Sequence, residues 1–295
     1  MSLNAFTDIH LSTDGVGPAI VFPGQIPANG ELAEEIEALR EVIRQNPSKK
    51  RIVSADARWR ITMMREGRYA LRIMRDKCPN IDELNLPAGV KALLLQSELK
   101  ATGGLVPILG LTGSGKTTTW SATIAARLRL HGGYGLTIED PPEDLLEGRH
   151  GNAGYCEQLD ADELGGYENA IYTALRCFPA KDSSILGLGE VRDKHTAAEV
   201  LRAAVDGHLV FFTYHGKTIQ AGLQRLAAQA RAAGEEDAND LLASSLRLAI
   251  HQRFDDAGKL VVTALVPENQ TFAHIRNGAY ENLKSCVDRT QARLR

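Results

Sequence analysis

The chain has 295 residues, 43% hydrophobic and 24% charged, enough apolar material for a sizeable core and too little bias for a disordered or fibrous protein. Lys and Arg number 34 against 37 Asp and Glu, a net charge of −3, so the basic field that a dedicated DNA binder needs to neutralise phosphates is absent. No run approaches the ~18–20 apolar residues of a membrane span. Met1 to His10 carries Asp8 and no basic stretch, so no secretory signal is expected and the reading is a soluble cytoplasmic protein. Cys78, Cys156, Cys177 and Cys286 lie far apart without a C-x-x-C pair, which argues against structural zinc and for reduced thiols.

In chain order, Asp8–Leu11 and Ala19–Phe22 read as short strands, and Glu31–Arg44 as a helix whose Leu32, Ile36, Leu39, Val42 and Ile43 recur on one face. Arg58–Met64 and Arg68–Met74 alternate around Glu66-Gly67 and predict a β-hairpin. Alternation puts Arg58, Arg60 and Thr62 on one face and Trp59, Ile61 and Met63 on the other. Prolines at 79 and 87 flank an acidic turn. They divide a small α/β domain, 1–77, from a larger α/β domain, 88–295, with 78–87 as a hinge. The larger part alternates strands (Val106–Leu111, Tyr134–Ile138, Ser184–Leu188, Leu209–Tyr214) with helices (Lys116–Leu130, Thr196–Val205), the pattern of a parallel sheet covered on both faces. Residues 220–250 read as helical, broken at Gly234–Asp237, and Lys259–Val266 as a late strand.

Gly110-Leu111-Thr112-Gly113-Ser114-Gly115-Lys116-Thr117 fits G-x-x-x-x-G-K-[ST] at every fixed position, after a strand and at the start of a helix. Glycines let successive N–H groups turn onto phosphate oxygens, and the helix start adds partial positive charge. Lys116 would reach the β- and γ-phosphates, and the Thr117 hydroxyl would bind Mg²⁺. Ligands in such sheets sit outside the carboxyl ends of the strands. Three strands run there into Glu139-Asp140-Pro141-Pro142-Glu143, Gly189-Glu190 and His215. Glu190 is placed to orient and deprotonate an attacking water. Glu139, Asp140 and Glu143 are candidates to hold Mg²⁺ through water. His208 and His215 bracket a strand of ~23 Å, so His215 is the better phosphate contact, and His208 is expected to cap the far end or meet a neighbouring subunit, with a structural histidine as the alternative.

In these residues the chain resembles the PilT/GspE-like secretion ATPases, the motors of type IV pili, type II secretion and conjugative or DotB-like secretion. Gly110 to Thr118 resembles the family's Walker A, Thr137–Glu143 its Asp box, Ile185–Asp193 its Walker B, and Gly207-His208 through Thr213–His215 its His box. Thr7–His10 resembles the opening of its amino-terminal PAS-like domain. The resemblance implies a RecA-like P-loop ATPase domain behind a small PAS-like α/β domain. It also implies ATP and Mg²⁺ as ligands, held by Gly110, Gly113, Ser114, Gly115, Lys116, Thr117 and Thr118. Glu190 is then the catalytic carboxylate, Glu143 a support for metal or water, and His215 a box histidine. The implied assembly is a homo-hexamer, peripheral at the inner membrane and docked on platform proteins of a pilus or secretion system. Pro142 and the short first domain depart from the pattern; the lack of a tetracysteine module and the weak match of Ala273–Gly278 to the retraction tail motif favour a DotB-like or conjugal-transfer branch.

Other functions weigh less. A nucleic-acid translocase or helicase of RecA-like fold needs a basic or aromatic pore, which a charge of −3 and 5% aromatic residues disfavour, so no direct nucleic-acid partner is expected. A small-molecule kinase would need an acceptor pocket, and nothing after Thr118 suggests one. A nucleotide-gated scaffold without turnover is a further alternative. Within the hairpin, Arg60, Arg65 and Arg72 are the candidates to reach a neighbouring subunit's γ-phosphate, since a planar guanidinium bonds phosphate oxygens bidentately and stays charged. The alternative is an edge hairpin kept soluble by its charge.

Overall fold

The computed structural model describes residues 2–15, 17–54, 57–180 and 184–294. Met1 and Arg295, the outer limits of the two expected domains, lie outside the described residues. Contacts divide the chain into Met1–Lys77 with Glu143–Leu145, and Cys78–Pro142 with Leu146–Arg295.

The first unit is an antiparallel sheet with one helix on it. Its elements are β1 (Asp8–Ser12), β2 (Ile20–Phe22), β3 (Ile26–Pro27), α1 (Glu31–Gln45), β4 (Arg51–Ser54), β5 (Ala57–Arg65) and β6 (Arg68–Met74), with strand order β3-β2-β1-β6-β5-β4. The apolar stripe of α1 packs Leu32, Ile36, Leu39 and Ile43 against Ile9, Leu11, Val21, Trp59, Ile61 and Leu71. The period-2 alternation of the strands meets the 3.6-residue period of the helix on one common face. The hairpin forms with Trp59 and Ile61 buried, but Met63, expected beside them, is 61% exposed. The pairing shifts register between Met63 and Arg65. The bulge follows Met63, which keeps its partner Tyr69; alternation fixes the face on which the methionine stands, not whether anything covers it.

The second unit is built on one mixed sheet. In chain order it comprises α2 (Ala88–Leu95), α3 (Glu98–Thr102), β7 (Gly104–Gly110), α4 (Lys116–His131), β8 (Gly133–Glu139), β9 (Gly148–His150), β10 (Gly154–Asp160), α5 (Tyr167–Cys177) and β11 (Ser184–Leu188). It continues with α6 (Lys194–Val205), β12 (Leu209–His215), α7 (Ile219–Ala232), α8 (Ala238–Ser245), β13 (Ala249–Phe254), β14 (Leu260–Leu265), α9 (Asn269–Arg276) and α10 (Leu283–Arg293). Strand order is β14-β13-β7-β12-β11-β8-β10-β9. The strands from β13 to β10 pair in parallel, and β14 and β9 close the edges antiparallel. Helices cover both faces: Trp120, Ile124 and Leu128 of α4 pack on one, and Leu201, Leu223 and Leu242 of α6, α7 and α8 lie in the core on the other.

Three expectations are corrected. The sheet is not wholly parallel. Ala249 and Ile250 are not the end of a helix but the start of β13, with Ile250 paired to Ile108 of β7. A short apolar run after a helix is ambiguous in period, and only the neighbouring strand decides it. Residues 78–87, expected as a hinge, pack with the second unit, where Ile81 is buried with Ala122 and Ala126 of α4. Strand β10 and helix α5 had no sequence-level expectation. Among the described residues no helix is long and apolar enough to cross a membrane.

Candidate functional site

The loop between β7 and α4 has the shape an anion cradle requires. Gly113 and Gly115 sit at φ 77° and 79°, a region that side chains disfavour, so the backbone can turn its N–H groups inward. A Cβ on Gly110 would collide with the Ser114 hydroxyl and would stand 2.5 Å from the Gln252 carbonyl, so only glycine fits where β7 meets β13. The first turn of α4 contains no acidic residue, and its partial positive charge is uncompensated. Lys116 is 8% exposed and donates from Nζ to the Leu111 carbonyl at 2.9 Å. Burial pulls its ammonium below the ordinary lysine range, and the Glu190 carboxylate opposes that shift. Ser114 Oγ is buried and has no hydrogen-bond partner among the described residues, an unmet polar atom in the cradle itself.

The acids and histidine gather at the carboxyl ends of β8, β11 and β12. Glu190 follows β11 and is held from both sides, by Arg192 Nε at 2.6 Å from Oε2 and His215 Nε2 at 2.7 Å from Oε1. The backbone around it is tied down: Gly189 N–H bonds the Ile138 carbonyl at 2.8 Å, and Val191 N–H the Thr213 carbonyl at 3.1 Å. The Thr213 hydroxyl donates to the Gly189 carbonyl. Glu139, at the end of β8, is 3% exposed and accepts from Gln158 Nε2 at 3.1 Å. Tyr167 lies half-buried among Arg192, Glu139, Asp140 and Glu190; burial pushes its phenol well above the ordinary range, while Arg192 pulls it back.

Behind the loop, His251 of β13 bonds the Gly216 backbone, and burial pushes its imidazole below the usual range. A cavity of about 220 Å³ opens beside the start of α4, lined among others by Leu84, Asn85, Thr118, Gln252, Phe254 and Leu260. Gln252 Nε2 donates to the Ser114 carbonyl at 2.6 Å and so braces the loop from the neighbouring strand.

The remaining expected residues lie elsewhere. His208, at the amino end of β12, has Nδ1 2.7 Å from Ser184 Oγ and its ring 4.9 Å from that of Phe178. Glu143 is exposed and groups with the first unit, as do the arginines. Arg60 pairs across the sheet with Arg72 and with Arg51, and Arg65 with Arg68. Arg72 bonds Asp8 at 2.7 Å.

Residues 59–291 match the sequence pattern of the family described as Type II/IV secretion system protein. The chain belongs to that family. Among its curated relatives, this family member is 28% identical over 244 residues to the twitching motility protein of Neisseria gonorrhoeae, covering 80% of this chain and 62% of that one. It is 32% identical over 199 residues to the type IV pilus retraction ATPase PilT of Pseudomonas aeruginosa, with 66% and 55% covered. The chain thus spans somewhat over half the length of these relatives. A solved structure of the pilus retraction motor PilT with bound ADP superposes with a TM-score of 0.70 at 26% identity, over 95% of this chain and 84% of that one. The Legionella pneumophila ATPase DotB shares the fold, with a TM-score of 0.71 at 21% identity over 95% and 84%. The fold is therefore the RecA-like P-loop ATPase fold with a small amino-terminal domain.

Three residues of this family member's site were missed at the sequence level. Gln252 and Phe254 sit on a segment read as lying past a helix, and only the insertion of β13 beside β7 brings them to the loop. Arg192 was inside the Walker B-like stretch, and its charge two residues after Glu190 was the available signal.

Proposed function

We propose that the chain binds ATP with Mg²⁺ and hydrolyses it as a ring-forming motor serving a type IV secretion, conjugal-transfer or type IV pilus machine. The observation that carries this reading is the meeting, at one sheet edge, of a buried ammonium in a glycine cradle with a carboxylate held by a histidine and an arginine. The cradle fits a nucleotide's phosphates on its own terms: glycines at positive φ, a helix start without an acidic residue, and a buried Ser114 hydroxyl with no hydrogen-bond partner among the described residues. Thr117 would hold Mg²⁺ directly and Glu143 through water. Bound there, the ion would neutralise charge on the β- and γ-phosphates.

Lys116 would leave the Leu111 carbonyl for phosphate oxygens, exchanging a neutral acceptor for a charged one. Glu190 would orient a water in line with the γ-phosphate and take its proton, while His215 holds the carboxylate's orientation. Thr118 and the cavity beside it would take the nucleoside, with Phe254 and Leu260 offering apolar surface to the base. Arg60, Arg65 and Arg72 would act in trans, completing the site of the next subunit of a homo-hexamer peripheral to the inner membrane and docked on platform proteins. The test is phosphate release by the purified chain with ATP and Mg²⁺, alongside light scattering. Turnover that Lys116→Ala removes supports the reading; nucleotide binding without turnover would make the protein a scaffold, and DNA-dependent turnover a translocase.

A further inference from the structure

Each oxygen of Glu190 already has one partner. Oε2 takes the Arg192 Nε–H at 2.6 Å, and Oε1 faces His215 Nε2 at 2.7 Å. His215 fits a positioning role, because it sits at the end of the strand next to β11. Arg192 needs a separate account.

An exposed arginine–carboxylate pair two residues apart usually contributes under about 1 kcal/mol, and such a pair is the ordinary explanation. Three observations go further. The backbone of Arg192 is anchored: Gln229 Nε2 of α7 donates to its carbonyl at 3.4 Å, and Gln229 Oε1 accepts from the Tyr214 hydroxyl of β12. On either side, Val191 is buried and Asp193 caps α6. The side chain on this fixed base is 57% exposed, while the carboxylate it holds is only 18% exposed. Finally, a guanidinium has five N–H donors. The Glu190 contact uses Nε alone, and among the described residues no hydrogen bond is found for the two terminal amino groups. The same carboxylate lies close enough to Lys116 to act on its charge. A fixed stem, a committed Nε and two outward amino groups therefore stand one carboxylate away from the phosphate cradle.

We propose that Arg192 reads the terminal phosphate of a bound nucleoside triphosphate: its Nε keeps Glu190, and its two terminal amino groups take γ-phosphate oxygens, so that one side chain holds both the carboxylate and that phosphate. The planar fork permits both contacts at once, whereas an ammonium is a single point of charge. A diphosphate lacks the group that Arg192 reaches, so the residue separates triphosphate from diphosphate. This rests on the reading of residues 110–117 as an ATP site.

The experiment is equilibrium binding of ADP and of a non-hydrolysable ATP analogue, both with Mg²⁺, to the full chain and to Arg192→Gln, Arg192→Lys and Glu190→Gln/Arg192→Gln. A charge-assisted hydrogen bond corresponds to roughly ten- to a hundredfold in affinity. Arg192→Gln is expected to bind the analogue at least ~10-fold more weakly and ADP within about twofold of wild type, with Arg192→Lys in between. The loss must persist when Glu190 is already Gln, because it belongs to a phosphate contact. Disappearance of the loss in the Glu190→Gln background would mean that Arg192 acts only through the carboxylate, and would overturn the proposal. Equal weakening of ADP and analogue, or no weakening, would overturn it as well. Should Arg192→Gln fail to fold, Arg192→Lys binding both ligands as wild type does would also overturn it. Failure of the underlying reading looks different: wild type, or Lys116→Ala as well as wild type, would treat both ligands alike.

Discussion

On the proposed function Lys116 would serve binding and Glu190 chemistry, and their substitutions are expected to separate. Lys116 is a buried cation whose loop contact is a backbone carbonyl, and no other ammonium or guanidinium belongs to residues 110–117. Lys116→Ala should abolish binding of a fluorescent nucleotide and all phosphate release; turnover near wild type would remove the loop from the mechanism. Glu190→Gln keeps size and hydrogen bonding but cannot take a proton. It should bind ATP as wild type does and hydrolyse it at least ~10²-fold more slowly, the lower end for a lost general base. If instead Glu143→Gln is inert and Glu190→Gln turns over normally, the two carboxylates exchange roles.

Elements hold these residues through caps and cross-strand braces. Asp193 starts α6, accepting the His195 and Thr196 N–H groups, each at 2.9 Å, and the Thr196 hydroxyl at 2.7 Å. Burial works against its charge, yet the bonds from Thr196 and His195 prevail and hold the carboxyl below its ordinary value. A depressed carboxyl contributes stability that is present above the unfolded value near 3.9 and is lost as pH falls through the folded one. Asp193→Asn should therefore change thermal stability little at pH 3 and lower it at pH 7, while Asp193→Ala costs about 1 kcal/mol at pH 7; an Asp193→Asn deficit that grows on acidification would contradict the cap. The second brace is Gln252, whose amide bonds the Ser114 carbonyl from β13. Gln252→Ala leaves that carbonyl unmet and frees the loop, so KM for ATP should rise severalfold with kcat less affected, as steady-state phosphate release would measure.

For the whole molecule the prediction is assembly. A closed cyclic hexamer is expected on the family's pattern and on the row of arginines that Arg51, Arg60 and Arg72 form across the first unit's sheet. Multi-angle light scattering at micromolar concentration, with and without nucleotide, should show it; a monomer in both conditions would count against it. If Arg60, Arg65 or Arg72 serves a neighbour, subunits lacking one of them should regain partial turnover when mixed with Glu190→Gln subunits. An arginine in trans is worth ~10³-fold or more in phosphoryl transfer, so complementation should stand well above either parent. Mixed rings that never exceed their parents, although both variants assemble, would make these arginines surface charge.

Much of this was legible in the residues because it is local. The loop from Gly110 to Thr117 declares itself through glycines that the backbone demands and a lysine at a set distance. The carboxyl-end acids follow from where each apolar run stops, and α1 and the hairpin from their periods. What escaped the sequence is non-local. Whether Ala249 begins a strand depends on β7 lying beside it, since a short apolar run has no period of its own. The brace of Gln252, the apolar wall from Phe254, the Gln158 bond to Glu139 and the clasp of Arg192 and His215 on Glu190 join residues brought together by strand order. Spacing along the chain carries no information about strand order, because a parallel crossover can return beside any free edge. Met63 shows the same limit at short range: it keeps its place in the pairing, opposite Tyr69, yet stands 61% exposed, because alternation fixes a face and not what covers it.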